Sequence, residues 1–337
     1  MSIETLKTKL IMLKKYGFIV FVFSIFLIAC STESEDDLIK GNGSYETPTL
    51  LNKSPGTFQI TSHFDNWLQQ NGYGSYNFKG SIGYSYGGKT SSSETLNNQP
   101  IIFIHGNSDK AEGWGEPINY FLNNGYNTSE LYAFTWGNAN PYNASSNYHS
   151  KEFLQRIRVF IQTVKNYTGA QKVDVIGHSM GVTLGRKAIK GGNAYDQAYG
   201  YYNLGTPLNY VDTFVGIAGA NRGLTSCYYS GTGVPTCNDV NGFYPGYLFW
   251  GAGPYGVSNF LTELNNNPTK EANKVYSIWS SADQIVGYGC IVYGENTCRI
   301  NTQDGEKYYS SAPYGHFGVK NLSGYYQLQM VKYHSTY

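Results

Sequence analysis

Five short runs constrain this chain more than anything else in it: PIIFIHGN from Pro100, ELYAFTWG from Glu130, KVDVIG from Lys172, DTFVGIAGAN from Asp212 and KVYSIWSSAD from Lys274. Each is largely apolar at its centre, PIIFIHGN being β-branched as well, and too short for a helix. That is the pattern of a strand buried on both faces rather than one with a wet side. Strands of that kind need helices above and below them, and helical segments lie between the runs. In HSKEFLQRIRVFIQTVKNY, Phe153, Ile157, Ile161 and Val164 recur at helical spacing, while Lys151, Arg156, Arg158 and Lys165 fall among the polar positions. Gly169 is placed to end that helix. MGVTLGRKAIKGG and VSNFLTELNN read as two more. The order predicts an α/β fold with a mostly parallel central sheet flanked by helices, whose binding sites lie beyond the carboxyl ends of the strands.

The 337 residues, 41% hydrophobic and 14% charged, are enough to bury a large core. A formal net charge of +1 excludes the basic excess on which a nucleic-acid binder depends. The 32 Tyr and 40 Gly imply many turns and a surface made polar by hydroxyls and amides, as is common in exported proteins. Residues 1–29 carry Lys7, Lys9, Lys14 and Lys15 and then an apolar run, the layout of a signal peptide and too short to span a membrane comfortably. Leu27-Ile28-Ala29-Cys30 resembles a bacterial lipobox, with cleavage before Cys30 and lipid on its thiol. Residues 30–49 are acidic and rich in Ser, Thr and Gly, as a flexible tether is. The expectation is an exported lipoprotein, held at the cell envelope or outer surface, with one folded domain over 50–337. Its N-terminal extension, TFQITSHFDNWLQQNGY and YNFKGSIGYSYGGKT, reads as short strands and turns.

Once Cys30 is set aside, four cysteines remain, an even number that suits two disulfides. Cys227 with Cys237 and Cys290 with Cys298 is the favoured pairing, since each closes a short Gly-, Thr- and Asn-rich loop. The spacings are not those of a zinc site, and no metal or cofactor is called for.

The pattern GxSxG occurs twice, around Ser85 and around Ser179. A serine hydroxyl is a weak nucleophile; it needs a histidine to take its proton, an acid to orient the histidine, and donors for the oxyanion. One solution is a sharp strand-to-helix turn with glycine on both flanks. Ser179 has the strand VDVI before it and a helix after it, whereas Ser85 has neither. His316, in a Gly/Pro-rich loop downstream, is the expected base, with His334 on the last, helical segment. Asp283, just past the strand KVYSIW, is the expected acid, with Asp304 and Asp212 as alternatives. Backbone N–H groups of Met180 and Asn107 are the expected oxyanion donors, with Ser108 a neighbouring alternative to Asn107.

Together, IIFIHGNSDKAEGW, VIGHSMGVT, AGAN and SSADQIV, followed by His316, resemble the class 2 lipases of the α/β-hydrolase superfamily, a group that includes a polyhydroxyalkanoate depolymerase of similar type. The resemblance runs from about Pro100 to His316. It implies an α/β-hydrolase fold and carboxylic ester hydrolysis, with lipid esters such as acylglycerols the expected substrate and a polyester the alternative. A binding lipoprotein that retains the fold without catalysis is the competing class. Residues 224–257, long, aromatic and tied by Cys227 and Cys237, are expected to form a lid or substrate wall, or else a rigid excursion with its aromatics packed on the core.

Overall fold

A computed structural model describes residues 53–337. The expected signal peptide, Cys30 and the 30–49 tether lie outside the described residues. In chain order the elements are α1 (Ser62–Gln70), β1 (Ser85–Tyr86), β2 (Ile101–Ile104), α2 (Gly115–Asn123), β3 (Leu131–Phe134), α3 (Lys151–Thr168), β4 (Val173–His178) and α4 (Met180–Lys190). There follow β5 (Asn193–Asp196), β6 (Gly200–Asn203), β7 (Val211–Ile217), α5 (Thr225–Ser230), β8 (Tyr247–Phe249), β9 (Ala252–Tyr255) and α6 (Asn259–Asn266). The chain closes with β10 (Lys274–Ser280), β11 (Ile291–Val292), β12 (Glu295–Asn296), β13 (Gly305–Tyr309), α7 (Gly318–Asn321) and α8 (Gly324–Tyr333).

The central sheet has seven strands in the order β1-β3-β2-β4-β7-β10-β13. All pair in parallel except β1, which runs antiparallel to β3 at one edge. Every residue of β2, β3, β4 and β7 is buried, as their apolar runs require. Successive side chains point to opposite faces. Ile102 and Ile104 thus join α1, α3 and α4 in one core, while Ile101 and Phe103 join α2 and α8 in the other.

Local chemistry explains the helix ends. Ser150 caps α3 by accepting from the Phe153 N–H at 3.2 Å, and Gly169 closes it in the left-handed region at φ 71°. Leu154, Ile157, Phe160, Ile161 and Val164 form its buried stripe, with Phe153 only partly buried. Arg158 departs from its expected polar position: it is buried and donates to the carbonyls of Ala188, at 2.7 Å, and Thr206. The central helix α4 is buried along its whole length, charges included. Its Arg186 pairs with Glu271 at 2.8 Å with both side chains fully enclosed, and donates further to Asn221, Asn265 and Asn301. Lys190 reaches Glu271 at 3.2 Å. The same glutamate accepts from Thr302 at 2.5 Å. A buried ion pair survives only when its remaining hydrogen-bond capacity is met, and here it is.

The extension differs from the expectation of strands and turns. Residues 62–70 form α1, capped by Thr61, whose hydroxyl accepts from the Phe64 N–H at 3.2 Å. Phe64 and Leu68, one helical turn apart, are buried, and Phe64 stacks on Tyr167 of α3 at 4.3 Å between ring centres. Cap and tertiary packing together override a mixed polar composition.

Both expected disulfides, Cys227–Cys237 and Cys290–Cys298, are formed. Between the first and α6, β8 and β9 make a separate two-stranded hairpin. Phe243, earlier in the 224–257 segment, packs in the core, but the hairpin's own side chains do not: Phe249 is 63% and Trp250 94% exposed, with Tyr247, Leu248 and Tyr255 also exposed. No helix among the described residues is long and apolar enough to cross a membrane.

Candidate active site

Ser179 stands between the end of β4 and the start of α4 at φ 53°, ψ −125°, a backbone conformation that side-chain-bearing residues rarely adopt. Its N–H donates to Ile217 O on the neighbouring strand at 2.9 Å, which pins the turn to the sheet. The flanking glycines are required by close approach. A Cβ on Gly177 would lie 2.8 Å from Gly181 O, and one on Gly181 would overlap the carbonyl oxygens of Ile104 and His105. Ser179 makes no side-chain cap to α4, and the positive end of that helix, beginning at Met180, lies at the turn.

The loop after β2 abuts this turn. A Cβ on Gly106 would stand 3.0 Å from the Cβ of Ser179. The Asn107 side chain is turned to structural work: its amide donates to Ala144 O at 2.9 Å, and its carbonyl accepts from Asn147 Nδ2 at 2.7 Å and from the Ser108 hydroxyl at 3.2 Å. That clamp sets the peptide carrying the Asn107 N–H, and Ser108 itself lies at φ 58°. Asp109 and Lys320 brace the loop from the far side. The Lys320 ammonium lies 3.4 Å from Asp109 Oδ2, donates to Gly113 O and stands over the Trp114 ring.

Asp283 follows β10 by three residues, at the sheet edge where Ser179 also emerges. Its Oδ1 accepts from the N–H groups of Ile285, at 2.9 Å, and Val286, at 2.8 Å; its Oδ2 lies 2.8 Å from His316 Nδ1. A carboxylate accepts only, so Nδ1 carries a proton, and in the neutral ring the lone pair is on Nε2. His316 is further fixed by its own N–H, which donates to Gln284 Oε1 at 3.0 Å. His178, the residue before Ser179, lies 3.0 Å by its Nε2 from His316 O, with the two rings 4.6 Å apart. Ser179, Asp283, His316 and the Asn107 and Met180 peptides therefore meet at one end of the sheet.

The alternatives lie elsewhere. Ser85 is fully buried on β1, where its hydroxyl accepts from the Ile60 N–H at 3.1 Å and donates to Lys79 O at 2.6 Å. Asp212, near the start of β7, is bound by Lys172 and Asn273, and Asp304, just before β13, by Lys270 and the Val275 N–H; both are at the amino ends of their strands. His334 lies just past the end of α8, within 3.4 Å of Asp212. Two residues of the site, His178 and Gln284, have no role that motif or spacing assigns. For His178 the available signal is its place beside the GxSxG serine, which limits it to a buried strand end.

A model of the family described as Lipase (class 2) matches residues 98–328. The chain belongs to the class 2 lipase family. Among solved structures it is similar to Aspergillus fumigatus lipase B, at 14% identity and a TM-score of 0.47, covering 85% of this chain and 61% of that one. It is also similar to Bacillus licheniformis lipase BlEst2, at 16% identity and a TM-score of 0.47 in the mature form, covering 74% of this chain and 98% of that one. In the propeptide form of BlEst2 the figures are 14% and 0.48, covering 74% of this chain and 53% of that one. The chain thus spans less than two thirds of two of these relatives.

Two histidines of this family member are buried in their neutral form. Burial pushes His105 down to about 4; its Nδ1 donates to Gly106 O at 2.7 Å and its Nε2 accepts from the Trp136 N–H at 3.1 Å. Burial pushes His149 down to about 3; its Nδ1 donates to Asn241 O at 2.9 Å, and its Nε2 lies 2.7 Å from the Thr183 hydroxyl. Below a pH of about 6.5 the unfolded chain protonates these rings and the folded chain does not, so their contribution to stability is full above that pH and drains as pH falls. Asp174, pushed up by burial to about 8, opposes them, because the folded state holds a proton that the unfolded state has released. Replacing His149 by Asn should flatten the slope of unfolding free energy against pH between about 4 and 6 by about 1.4 kcal/mol per pH unit. Urea titrations across that range measure it, and an unchanged slope refutes a neutral His149.

Proposed function

We propose that this class 2 lipase hydrolyses carboxylic esters through an acyl-enzyme on Ser179. The Ser179 Oγ attacks the ester carbonyl carbon as His316 Nε2 takes its proton, and the oxyanion receives hydrogen bonds from the Met180 and Asn107 N–H groups. The C–O bond to the alcohol then breaks, and His316 returns the proton to the leaving oxygen. Water attacks the acyl-enzyme by the same steps and releases the acid. Asp283 keeps the His316 proton on Nδ1 throughout. The observation that carries the reading is the 2.8 Å Asp283–His316 bond on a loop packed against the Ser179 turn. A fluorophosphonate probe should label the wild type and not Ser179→Ala. Ser85→Ala should label fully while losing about 1–3 kcal/mol of stability, since it strands the Ile60 N–H and Lys79 carbonyl. Labelling that survives Ser179→Ala sinks the proposal.

The substrate class that fits is a lipid ester, with the β8–β9 hairpin serving as wall or lid for the acyl chain. Supporting this, the hairpin carries Tyr247, Leu248, Phe249 and Trp250 to solvent, and its base is tied by the Tyr293 hydroxyl, donating to Gly246 O at 2.7 Å, to the Cys290–Cys298 loop that follows Asp283. Replacing Phe249 and Trp250 together by Ala should lower activity on long-chain esters about 10-fold relative to acetate esters. Equal loss on both would remove the role, and a panel adding polyester film separates a depolymerase from a lipase.

Lipid attachment at Cys30 and export to the cell envelope belong to the same proposal, on the strength of the apolar run ending Ala29-Cys30. An alkyne fatty acid fed to expressing cells should be incorporated into the wild type and not into Cys30→Ala. Equal incorporation into both, or none into either, rules the anchor out.

A further inference from the structure

We infer that His178 is a positioning residue, whose imidazole holds the His316 loop against the Ser179 turn by donating from Nε2 to the His316 carbonyl. The inference rests on the proposed roles of Ser179 and His316. His178 is fully buried as the last residue of β4, so its ring is aimed by the sheet itself. Its Nε2 lies 3.0 Å from His316 O. A carbonyl oxygen only accepts, so the proton is on Nε2 and Nδ1 holds a lone pair.

That Nδ1 is buried with no hydrogen-bond partner among the described residues. Nor is there room to give it one on the side of the HGN loop, where a Cβ on Gly106 would come within 3.2 Å of it. The rest of the ring meets aromatic surface, with Trp114 edge-on at 6.4 Å and Phe317 at 5.8 Å between ring centres. A side chain that merely filled this space would be apolar. The imidazole leaves one nitrogen unsatisfied and brings one donor, and that donor is spent on the residue whose Nε2 must meet the Ser179 hydroxyl.

His316 is then fixed at three atoms: its ring by Asp283, its N–H by Gln284 and its carbonyl by His178. Asp283 and Gln284 both come from the segment after β10, and Lys320, just beyond His316, is tied to Asp109 and Gly113 in the segment after β2, so none of these contacts reaches β4 itself. The His178 bond joins the His316 loop to the strand that ends at Ser179. Register between nucleophile and base, rather than the basicity of His316, is what it controls. Misplacement by a fraction of an ångström at this distance lowers the chemical step without altering how substrate is bound.

The test compares His178→Gln, whose side-chain amide can place an N–H near the position of Nε2, with His178→Asn, whose amide is too short, and His178→Leu, which has none. Full-length variants are assayed on a short p-nitrophenyl ester and with a fluorophosphonate. His178→Leu and His178→Asn should lose about 10–100-fold in kcat and in labelling rate with KM unchanged, and His178→Gln should recover most of the loss. Equal loss in Gln and Leu, a loss carried in KM, or no loss overturns the inference. Wild type and Ser179→Ala run alongside: if the probe does not distinguish them, the proposed catalytic role of Ser179 has failed, whereas if it does, the outcome bears on His178 alone. Should the variants not fold, ¹⁵N spectra of the wild-type histidines decide, since the Nε2–H tautomer at His178 is required and Nδ1–H there contradicts it.

Discussion

The arrangement depends on how closely α4 is laid against the ends of β2 and β4. At Gly177 and Gly181 the backbone of the turn comes so near to its neighbours that a single added carbon would collide, at Gly181 with the carbonyls of Ile104 and His105. That approach forces Ser179 into φ 53°, brings the loop after β2 within van der Waals reach of its Cβ, and aims the amino end of a buried helix at the same point. Strain of this kind persists only where the surroundings over-determine it. Here they do: the sheet holds one side through Ile217 O, and the Arg186–Glu271 network holds the helix on the other.

Parallel strands deliver the remaining parts. The segments after β2, β4, β10 and β13 bring Asn107, Ser179, Asp283 and His316 to one end of the sheet. Asp212 and Asp304, chemically equivalent to Asp283, belong to the opposite end and are spent on lysines there. Position along the strand, more than residue type, separates a carboxylate free to orient a histidine from one that closes a surface ion pair.

This is also why the candidate site can be located in the sequence and parts of the fold cannot. Runs such as Ile101–Ile104 and Val173–Ile176 announce two-sided burial by composition alone, and their ends locate the loops. Ser85 is separable from Ser179 because a GxSxG pattern without a strand before it and a helix after it lacks the turn; its hydroxyl is consumed by Ile60 and Lys79 instead. Helix α1 is not legible, since its apolar stripe amounts to Phe64, Leu68 and a half-covered Trp67, and its order comes from the Thr61 cap and from Tyr167, a partner distant in sequence. Arg158, Arg186 and Lys190 likewise look like exposed positions of amphipathic helices. Their burial follows from acceptors supplied by segments up to 115 residues away, which no local pattern encodes.

The buried histidines extend the same logic. His105 and His149 each offer one donor and one acceptor in the neutral state and find a partner for both, so burial costs them their basicity and nothing else. His178 is the exception, with a donor satisfied and an acceptor abandoned. Burial, reinforced by the neighbouring His316, pushes it well below the usual imidazole range. It is therefore held in the neutral form, and can anchor the His316 carbonyl without placing a positive charge beside that ring. A lysine or arginine could make the same bond, but it would bring a fixed charge into a buried place lined by Trp114 and Phe317. A neutral ring at the end of β4 ties strand to loop without adding charge.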